Sequence, residues 1–354
     1  MKFVNRIGAL RTAILASVFP LTLGAAAAED GKCLRVVMFE WKSAHVIDPA
    51  AQVQNSDLAH VLAAYEYLVV LDNNYVPHPQ LAESWTASPD GKSWTFKLRE
   101  GVKFHNGGEL TADDVVYSFK RILDPATGSL ARADIAFLKP EDIVAKSKYE
   151  VEFTADAPVA ELPLLLANKA AMIVQAGSTR ESLQKESAGT GPFMIKDFKA
   201  DGARTVLQKH PDYWEAGKPL MDCIELSGIA DPLTRAATLQ SGDADVLIAV
   251  DPVTIPTLQA DPNVELHPAE NANMMLIAMQ LDQKPFDDPR VREALKLVID
   301  REALAQIVTL GVGTPGNDNP IPISSPFSVS PEVRPRDVEK ARALLAEAGQ
   351  SDLT

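Results

Sequence analysis

The residue types that carry enzyme and metal chemistry are present in this sequence, but they are not spaced as in a catalytic or metal-binding motif. No two histidines stand at i, i+4, and none lies near a cysteine at metal-ligand spacing. A G-x-S-x-G nucleophile motif is absent as well. Distant residues can converge in a fold, so a zinc or nickel site stays open, but we predict no catalytic residue, no metal and no cofactor. The six histidines are His45, His60, His78, His105, His210 and His267.

Two further patterns look chemical and are better explained by local structure. Gly189–Phe193 reads GTGPF, which contains G-x-G but lacks the G-K-[S/T] of a phosphate-binding loop. Pro192 also removes an amide that a phosphate would need, so we interpret this segment as a turn near a hinge. The pairs Asp113-Asp114 and Asp287-Asp288 stand at predicted helix starts, where carboxylates interact favourably with the helix dipole. We therefore favour helix starts over general acid–base catalysis for both pairs.

The sequence has two cysteines, Cys33 and Cys223, and each opens an apolar segment that is predicted to be a strand. If the two strands lie side by side and parallel, the two sulfur atoms are neighbours and can form a disulfide. Two buried free thiols are the equally weighted alternative. Disulfides persist in exported proteins, so the compartment of the chain bears on this choice.

The N-terminus has the organisation of a secretory signal peptide. Basic residues precede an apolar run, Ala13–Leu23, and alanines at 25–28 supply a small-residue cleavage site. The apolar run is too short to span a bilayer. We therefore predict a signal peptide at residues 1–28 and a soluble protein of the periplasm. The net charge of −14 argues against nucleic acid as a partner and against a polybasic membrane surface.

The clearest local structure is predicted for Leu81–Leu123. Ser88–Gly91 reads SPDG, which has the chemistry of a type I turn because Pro presets φ at the second position. The residues after it alternate between apolar and polar, as in a half-buried strand. Thr111 is predicted to cap a helix, with Asp114 at the capping-box position. This stretch should therefore form two strands and a capped helix.

Downstream, segments typical of strands alternate with segments typical of helices. Asp231-Pro232, Asp251-Pro252 and Asp288-Pro289 each combine a helix cap with Pro at the first helical position. Apolar strands are predicted beside these helices, among them Val264–Leu266 and Met274–Leu281. The alternation predicts βαβ units and a largely parallel sheet.

Long segments of the sequence resemble the family 5 solute-binding proteins, the periplasmic oligopeptide-, dipeptide- and nickel-binding components of ABC importers. The resemblance covers nearly the whole chain after the signal peptide, in order, and motifs of this length are far more specific than a short pattern. The segments are LAESW (Leu81–Trp85), PDGKSWTFKLREGVKFHNG (Pro89–Gly107), LTADDVVYSFKRILDP (Leu110–Pro125), GTGPF, HPDYW (His210–Trp214), DPLTRAATLQSGDADV (Asp231–Val246), PFDDPRVREALKLVIDREAL (Pro285–Leu304) and KARALLAEAG (Lys340–Gly349).

The resemblance implies an α/β, two-lobed periplasmic-binding-protein fold with an inserted subdomain, hinged around a buried ligand. Lobe I would comprise residues 29–56 and 188–272, and the inserted subdomain residues 57–187. Residues 273–354 would form only the start of lobe II, because family members continue well past Gly349. The resemblance therefore implies a C-terminally truncated member whose second lobe is incomplete.

Matching the family's motifs also implies which residues contact the ligand. They lie after the first strand, in the loop 129–132 and at the crossing into lobe II. The implied contacts are Trp41, Val53, Gln54, Asn55, Arg132, Asn273, Met274 and Met275. The methionines could equally be core packing, and Trp41 could pack between the lobes. Phe39 ends the same strand as Trp41, at the edge where open α/β sheets bind ligands.

The resemblance implies a periplasmic solute-binding protein of an ABC importer, which captures a peptide or similar small solute by lobe closure. It would deliver that solute to a permease and ATPase complex in the inner membrane. Opines, sugars and nickel complexes are the alternative ligands. We expect a monomer that binds no nucleic acid and is not an enzyme. The competing hypothesis is a periplasmic chaperone or a sensor partner on the same scaffold.

Overall fold

The structure is a computed structural model, and the residues it describes are 33–39, 47–51, 55–185, 188–198, 204–267, 275–319, 321, 328 and 332–353. The predicted signal peptide, residues 1–28, lies outside them. Across the described ranges, no helix combines the length and the apolar character that crossing a bilayer requires.

Strands and helices succeed one another along the described chain. The strands are β1 (Cys33–Met38), β2 (Val69–Leu71), β3 (Pro77–Pro79), β4 (Ala82–Ala87), β5 (Ser93–Leu98), β6 (Ile143–Ser147), β7 (Glu150–Thr154), β8 (Phe193–Phe198), β9 (Arg204–Lys209), β10 (Cys223–Gly228) and β11 (Val246–Leu247). The helices are α1 (Asn55–Ala64), α2 (Ala112–Leu123), α3 (Arg132–Ile135), α4 (Leu162–Leu165), α5 (Arg180–Lys185), α6 (Pro232–Gln240), α7 (Ile255–Gln259), α8 (Pro289–Val298), α9 (Arg301–Thr309) and α10 (Val338–Glu347). Short 3₁₀ turns are Pro125–Thr127, Pro140–Asp142 and Pro252–Thr254.

The first sheet has the strand order β11–β1–β10–β9–β8. β1 pairs parallel with β10 and β11, whereas β10, β9 and β8 pair antiparallel. The prediction of a largely parallel sheet is therefore wrong for the β8–β10 side. β8 and β9 are too close in sequence for a crossover connection, and the described residues between β9 and β10 contain no helix; strands joined in such ways pair antiparallel. Parallel pairing is confined to the side where α6 supplies the crossover from β10 to β11.

Helix α1 packs on one face of the first sheet. Ala59 and Ala63 contact an apolar cluster that the sheet strands contribute. His60 is fully buried, and its Nε2 lies 3.0 Å from Oγ1 of Thr205 on β9, so the pair forms a hydrogen bond between helix and sheet. The cluster consists of Val36, Met38, Phe193, Leu207 and Leu226.

The second sheet, β4–β5–β7–β6, is antiparallel and packs against α2. Phe153 meets Phe96 and Phe119 edge to face, with ring centroids 5.5 and 5.0 Å apart. All three rings are fully buried, so this aromatic cluster is the centre of the core that α2 closes.

The local structure predicted for Leu81–Leu123 is confirmed. Gly91 N–H donates to the carbonyl of Ser88 (2.9 Å), which closes the turn between β4 and β5. Thr111 and Asp114 form the capping box at the start of α2. The Asp114 carboxylate also accepts the N–H of Ala176 (2.8 Å), so its charge is used in capping and in holding a neighbouring segment.

The GTGPF segment is a turn, and at its two glycine positions no residue with a β-carbon fits. Gly191 N–H donates to the carbonyl of Ala64 (3.0 Å), and a β-carbon at Gly189 would lie 1.9 Å from that same oxygen. His105 N–H donates to the carbonyl of Gly189 (2.8 Å). The glycines therefore allow α1 and the turn before β8 to approach closely, which is a structural role.

Two of the predicted strands do not form within the described residues. Residues 275–280 and 264–267 are irregular and pair with no described strand. A strand is stable only when a neighbour satisfies its backbone N–H and C=O groups, and these runs have no such neighbour among the strands that the structure describes. Met275, Leu276 and Ile277 are consequently exposed, at 68–81% of their surface.

The C-terminal described helices pack on each other. α8 and α10 share a small core of Ala294, Leu297 and Ala341. The Arg301 guanidinium at the start of α9 is 9% exposed and donates to both carboxylate oxygens of Asp318 (2.6 and 2.8 Å). This ion pair holds the loop after α9 against the start of that helix.

The structure bonds the two cysteines to each other. Cys33 and Cys223 face one another in the parallel register of β1 and β10, and their sulfurs form a disulfide. The bond lies at the amino ends of both strands and closes a loop with a sequence separation of 190.

Candidate functional site

The carboxyl ends of the parallel strands meet at one edge of the first sheet. Ile229 and Ile248 are the first residues after β10 and β11. They donate their backbone N–H groups to the carbonyls of Met38 and Val37, both at 3.0 Å. β1 therefore has a neighbour on each side, and the β10–α6–β11 connection passes over it. Open α/β sheets bind ligands outside the carboxyl ends of their strands at such a reversal of strand order.

Phe39 and Arg235 define the centre of this edge. Phe39, the residue directly after β1, is 59% exposed. Arg235, on α6, is 3% exposed, and its Cζ lies 5.5 Å from the centroid of the Phe39 ring. Its Nη1 donates to the carbonyls of Ile229 and Ala230, both at 2.7 Å. The guanidinium thus fixes the chain that leaves β10 and supports one face of an exposed aromatic ring.

Further apolar side chains are exposed around Phe39. Leu233 in the first turn of α6, Ile248 after β11 and Val253 in the adjacent 3₁₀ turn are 62%, 45% and 55% exposed. We call Phe39, Leu233, Ile248 and Val253 the carboxyl-edge surface. Single exposed apolar residues are common on proteins, but a group of them at one sheet edge is typical of a binding surface.

The acidic residues nearby are occupied in helix capping. The Asp231 carboxylate accepts the N–H and O–H of Thr234 (2.7 and 2.6 Å), and these bonds lower the pKa of Asp231. Asp251 likewise accepts the N–H of Val253 (3.1 Å). The carboxylates therefore stabilise the two helical starts, while the side chains next to them supply the apolar surface.

The loop 47–51, which precedes α1, is held by a buried ion pair. Asp48 is fully buried. The two terminal nitrogens of the Arg121 guanidinium, Nη1 and Nη2, donate to its two carboxylate oxygens, with Nη1–Oδ1 at 2.8 Å. Asp48 Oδ1 also accepts the N–H of Ala50 (3.1 Å). The buried hydroxyl of Tyr65 has no hydrogen-bond partner among the described residues, and burial and the Asp48 charge raise the pKa of Tyr65. Arg121 on α2 therefore fixes residues 47–51.

Arg132 is the first residue of α3 and does not lie in a loop as predicted. Residues 129–132 form a turn closed by the Arg132 N–H, which donates to the carbonyl of Ser129 (3.3 Å), and α3 continues directly from this turn. Arg132 Nε donates to the carbonyl of Leu123 (3.0 Å). Arg180 Nη2 donates to the carbonyl of Thr127 (3.0 Å), and its Nε is 3.9 Å from Asp48. The structure thus brings Arg132 and the loop 47–51 to the same end of α2.

Most of the other predicted ligand contacts lie outside the described residues. These are Trp41, Val53, Gln54, Asn273 and Met274. Asn55 is the first residue of α1, and Met275 is 81% exposed in an irregular segment.

Sequence reasoning missed Arg235, Asp48 and Arg121. An Asp-Pro pair at 48–49 was visible, but a loop aspartate gives no sign that it will be buried. Arg235 reads as a surface residue of a short helix, and only the fold shows that its guanidinium turns under Phe39. Among the described residues, no group of three or more His, Cys, Asp or Glu side chains is placed to hold a metal ion.

Comparison with known proteins gives consistent matches. A family model described as bacterial extracellular solute-binding proteins, family 5 Middle, matches residues 76–354. Heme-binding protein A of Haemophilus influenzae is 35% identical over 297 residues, which cover 77% of this chain and 53% of that protein. Glutathione-binding protein GsiB of Escherichia coli K12 is 34% identical over 301 residues, covering 83% of this chain and 58% of GsiB. The chain thus spans less than two thirds of the length of either relative.

A solved structure extends the match to the fold. The ABC transporter-associated periplasmic binding protein DppA of Helicobacter pylori, in complex with the peptide STSA, aligns with a TM-score of 0.77 at 25% identity. The alignment covers 91% of this chain and 67% of DppA. The α/β fold described above is therefore that of the periplasmic binding proteins. The chain belongs to the bacterial extracellular solute-binding proteins of family 5.

Proposed function

We propose that this protein is the solute-binding component of an ABC importer, working in the periplasm and delivering its ligand to a permease and ATPase complex in the inner membrane. Its relatives are named as binding proteins, and DppA is described as associated with an ABC transporter. Ligand binding would close two lobes on the solute, because contacts to both lobes stabilise the closed state. No covalent chemistry is required for this function.

The observation that carries this proposal is the exposed Phe39 ring, supported by the buried Arg235 at the carboxyl ends of β1 and β10. An aromatic side chain left in water at this edge gains stability when a ligand covers it. Small-molecule sites combine such apolar surface with a few fixed polar groups.

A peptide is the ligand class we favour. Glutathione is a tripeptide, and the DppA structure holds a tetrapeptide, so two of the three relatives bind peptides. An extended peptide presents side chains to apolar pockets and its amides to neighbouring backbone. The carboxyl-edge surface and the chain next to it offer both kinds of partner.

The proposed boundary between lobe I and its inserted subdomain follows the strand pairing of the described residues. Lobe I would be residues 29–56 and 188–272, because β1 and β8–β11 form one sheet. Residues 57–187 would be the inserted subdomain, since β2–β7 pair only among themselves in the described chain. Lobe II would begin at residue 273. The ligand contacts proposed at the boundaries are Trp41, Val53, Gln54, Asn55, Arg132, Asn273, Met274 and Met275.

Thermal unfolding with a panel of ligands tests this function. We expect the peptide Ser-Thr-Ser-Ala or reduced glutathione to raise the melting temperature, because a ligand at 100 times its Kd stabilises the folded state by about 2.7 kcal/mol. Heme and nickel–histidine, added separately, test the other ligand classes. Stabilisation by heme alone would show that the peptide assignment is wrong. No stabilisation by either peptide would contradict the peptide assignment, and opines and sugars would then be the ligand classes to test.

Substitution of Phe39 by serine should weaken binding of the stabilising ligand by about tenfold, which is about 1.4 kcal/mol. Stability without ligand should change by less than about 0.5 kcal/mol, since the ring is exposed. The matched control is Leu220→Ser, because Leu220 is 81% exposed and lies before β10, at the opposite edge of the sheet. Isothermal titration of the three proteins measures the affinities, and thermal unfolding without ligand measures the stabilities. Equal affinities for Phe39→Ser and the wild type would show that Phe39 does not contact the ligand.

A further inference from the structure

The cation of Arg235 lies buried beneath the aromatic ring that the carboxyl-edge surface presents to a ligand. Arg235 is 3% exposed and its Cζ lies 5.5 Å from the centroid of the Phe39 ring, whereas Phe39 itself is 59% exposed. The ring therefore stands between the guanidinium and the solvent. A ligand side chain that packs on Phe39 comes close to a full positive charge, with only the ring between them.

The positive charge of Arg235 is held in place but is not neutralised by a neighbouring carboxylate. Its Nη1 donates to the carbonyls of Ile229 and Ala230, both at 2.7 Å, and these bonds orient the guanidinium without cancelling its charge. Among the residues that the structure describes, no carboxylate forms an ion pair with Arg235. An arginine side chain stays protonated in proteins, so this charge is permanent.

Two carboxylates near this edge act in the opposite direction, and water weakens their effect. Asp231 is exposed and Asp251 is half-buried, and both accept hydrogen bonds at helical starts. Charges in contact with water are screened, so their attraction for a ligand cation is worth little. Arg235 is withdrawn from water, and the repulsion that it exerts is screened much less. A second cation at the ring is therefore disfavoured.

We propose that Arg235 is a specificity-determining residue, whose buried charge reserves the surface on Phe39 for uncharged apolar side chains of a peptide and excludes lysine and arginine side chains. This inference rests on the proposed peptide function and adds which side chains the peptide can carry at one position. The Phe39 ring alone would attract a ligand cation to its free face. With Arg235 already at the other face, the approach of a second cation becomes repulsive.

A peptide series tests the sign of this effect in the wild type. Each position of Ser-Thr-Ser-Ala is replaced in turn by norleucine, lysine, glutamine or glutamate, and isothermal titration measures the affinities. The position that lies on Phe39 is the one at which Phe39→Ser weakens binding of the norleucine peptide most. There we expect lysine to bind about tenfold more weakly than norleucine, which has the same chain without the charge.

The glutamine and glutamate peptides distinguish a buried cation from an apolar surface. A surface that is only apolar penalises both signs of charge, because either charge loses water there. With Arg235 behind the ring, attraction offsets that loss for an anion. Glutamate should therefore bind within about threefold of glutamine at the position on Phe39.

Arg235→Gln and Arg235→Lys separate the charge from the hydrogen bonds. Both remove the planar guanidinium that donates to Ile229 and Ala230, so they share its structural cost, but only glutamine also removes the charge. The discrimination against lysine should fall below about threefold in Arg235→Gln and persist in Arg235→Lys. Leu220→Ser, at the opposite edge of the sheet, is the matched control and should bind the whole series like the wild type. The wild-type series does not depend on whether the Arg235 variants fold.

Equal affinities of the norleucine and lysine peptides, or a glutamate penalty as large as the lysine penalty, would overturn this inference and leave the proposed function intact. The same holds for an Arg235→Gln protein that discriminates as strongly as the wild type, and for a Phe39→Ser protein that binds every peptide normally. If no peptide of the series binds, the proposed peptide ligand fails and the inference fails with it.

Discussion

Replacing Arg121 with methionine is expected to destabilise the folded protein by about 3–5 kcal/mol. Methionine keeps much of the side-chain volume but removes both hydrogen-bonding nitrogens from the fully buried carboxylate of Asp48, which keeps only the exposed Arg180, with its Nε 3.9 Å away, as a nearby cation. An uncompensated buried charge costs far more than the pair contributed, because the carboxylate has also lost its water. Urea unfolding of the two proteins, followed by circular dichroism, measures the difference.

The double variant Asp48→Asn/Arg121→Met separates the charge from the packing. Asparagine retains an oxygen for the N–H of Ala50 and carries no charge, so a large part of the lost stability should return. Arg342→Met is the matched control, because Arg342 pairs with Glu339 on the exposed face of α10 and should cost less than about 0.5 kcal/mol. A loss below about 1 kcal/mol for Arg121→Met would contradict the structural role given to the pair.

Removing the disulfide should have the other large effect. The double variant Cys33→Ser/Cys223→Ser is expected to lose about 5 kcal/mol of stability, because the bond closes a loop with a sequence separation of 190. This figure comes from the chain-entropy model and is its upper value. We expect a lower urea midpoint, because opening the loop raises the conformational entropy of the unfolded chain.

The reduced wild type is the matching control, and its urea midpoint should equal that of the double variant. Thiol titration of the unfolded, unreduced protein should find no free thiol. Two titratable thiols before reduction, or a double variant as stable as the oxidised wild type, would show that Cys33 and Cys223 do not pair in solution.

The local elements were predictable because their signals lie within a few residues. The SPDG turn and the Thr111–Asp114 capping box depend on neighbours along the chain, and both are confirmed. The mixed sheet and the irregular segment 275–280 were not predicted. Whether an apolar run becomes a strand depends on a partner distant in sequence, and a periodic pattern carries no information about that partner.

In the candidate site, too, the residue with a local sequence signal was predictable and the residues placed by packing were not. Phe39 could be singled out because it follows a buried strand of an α/β fold, where ligands bind. Its support by Arg235 and the burial of Asp48 by Arg121 arise only when α6 and α2 pack on their neighbours. Residues that position a site are thus less visible in the sequence than residues that touch the ligand.

Hydrogen exchange with and without a bound peptide tests the central claim most directly. If a peptide occupies the carboxyl edge of the first sheet, adding Ser-Thr-Ser-Ala or glutathione should slow exchange at residues 37–39, 229–235 and 246–253. Segments at the opposite edge, such as 218–223, should be unchanged. Protection at those opposite segments, or none at the carboxyl edge while the peptide is bound, would contradict the placement of the binding site.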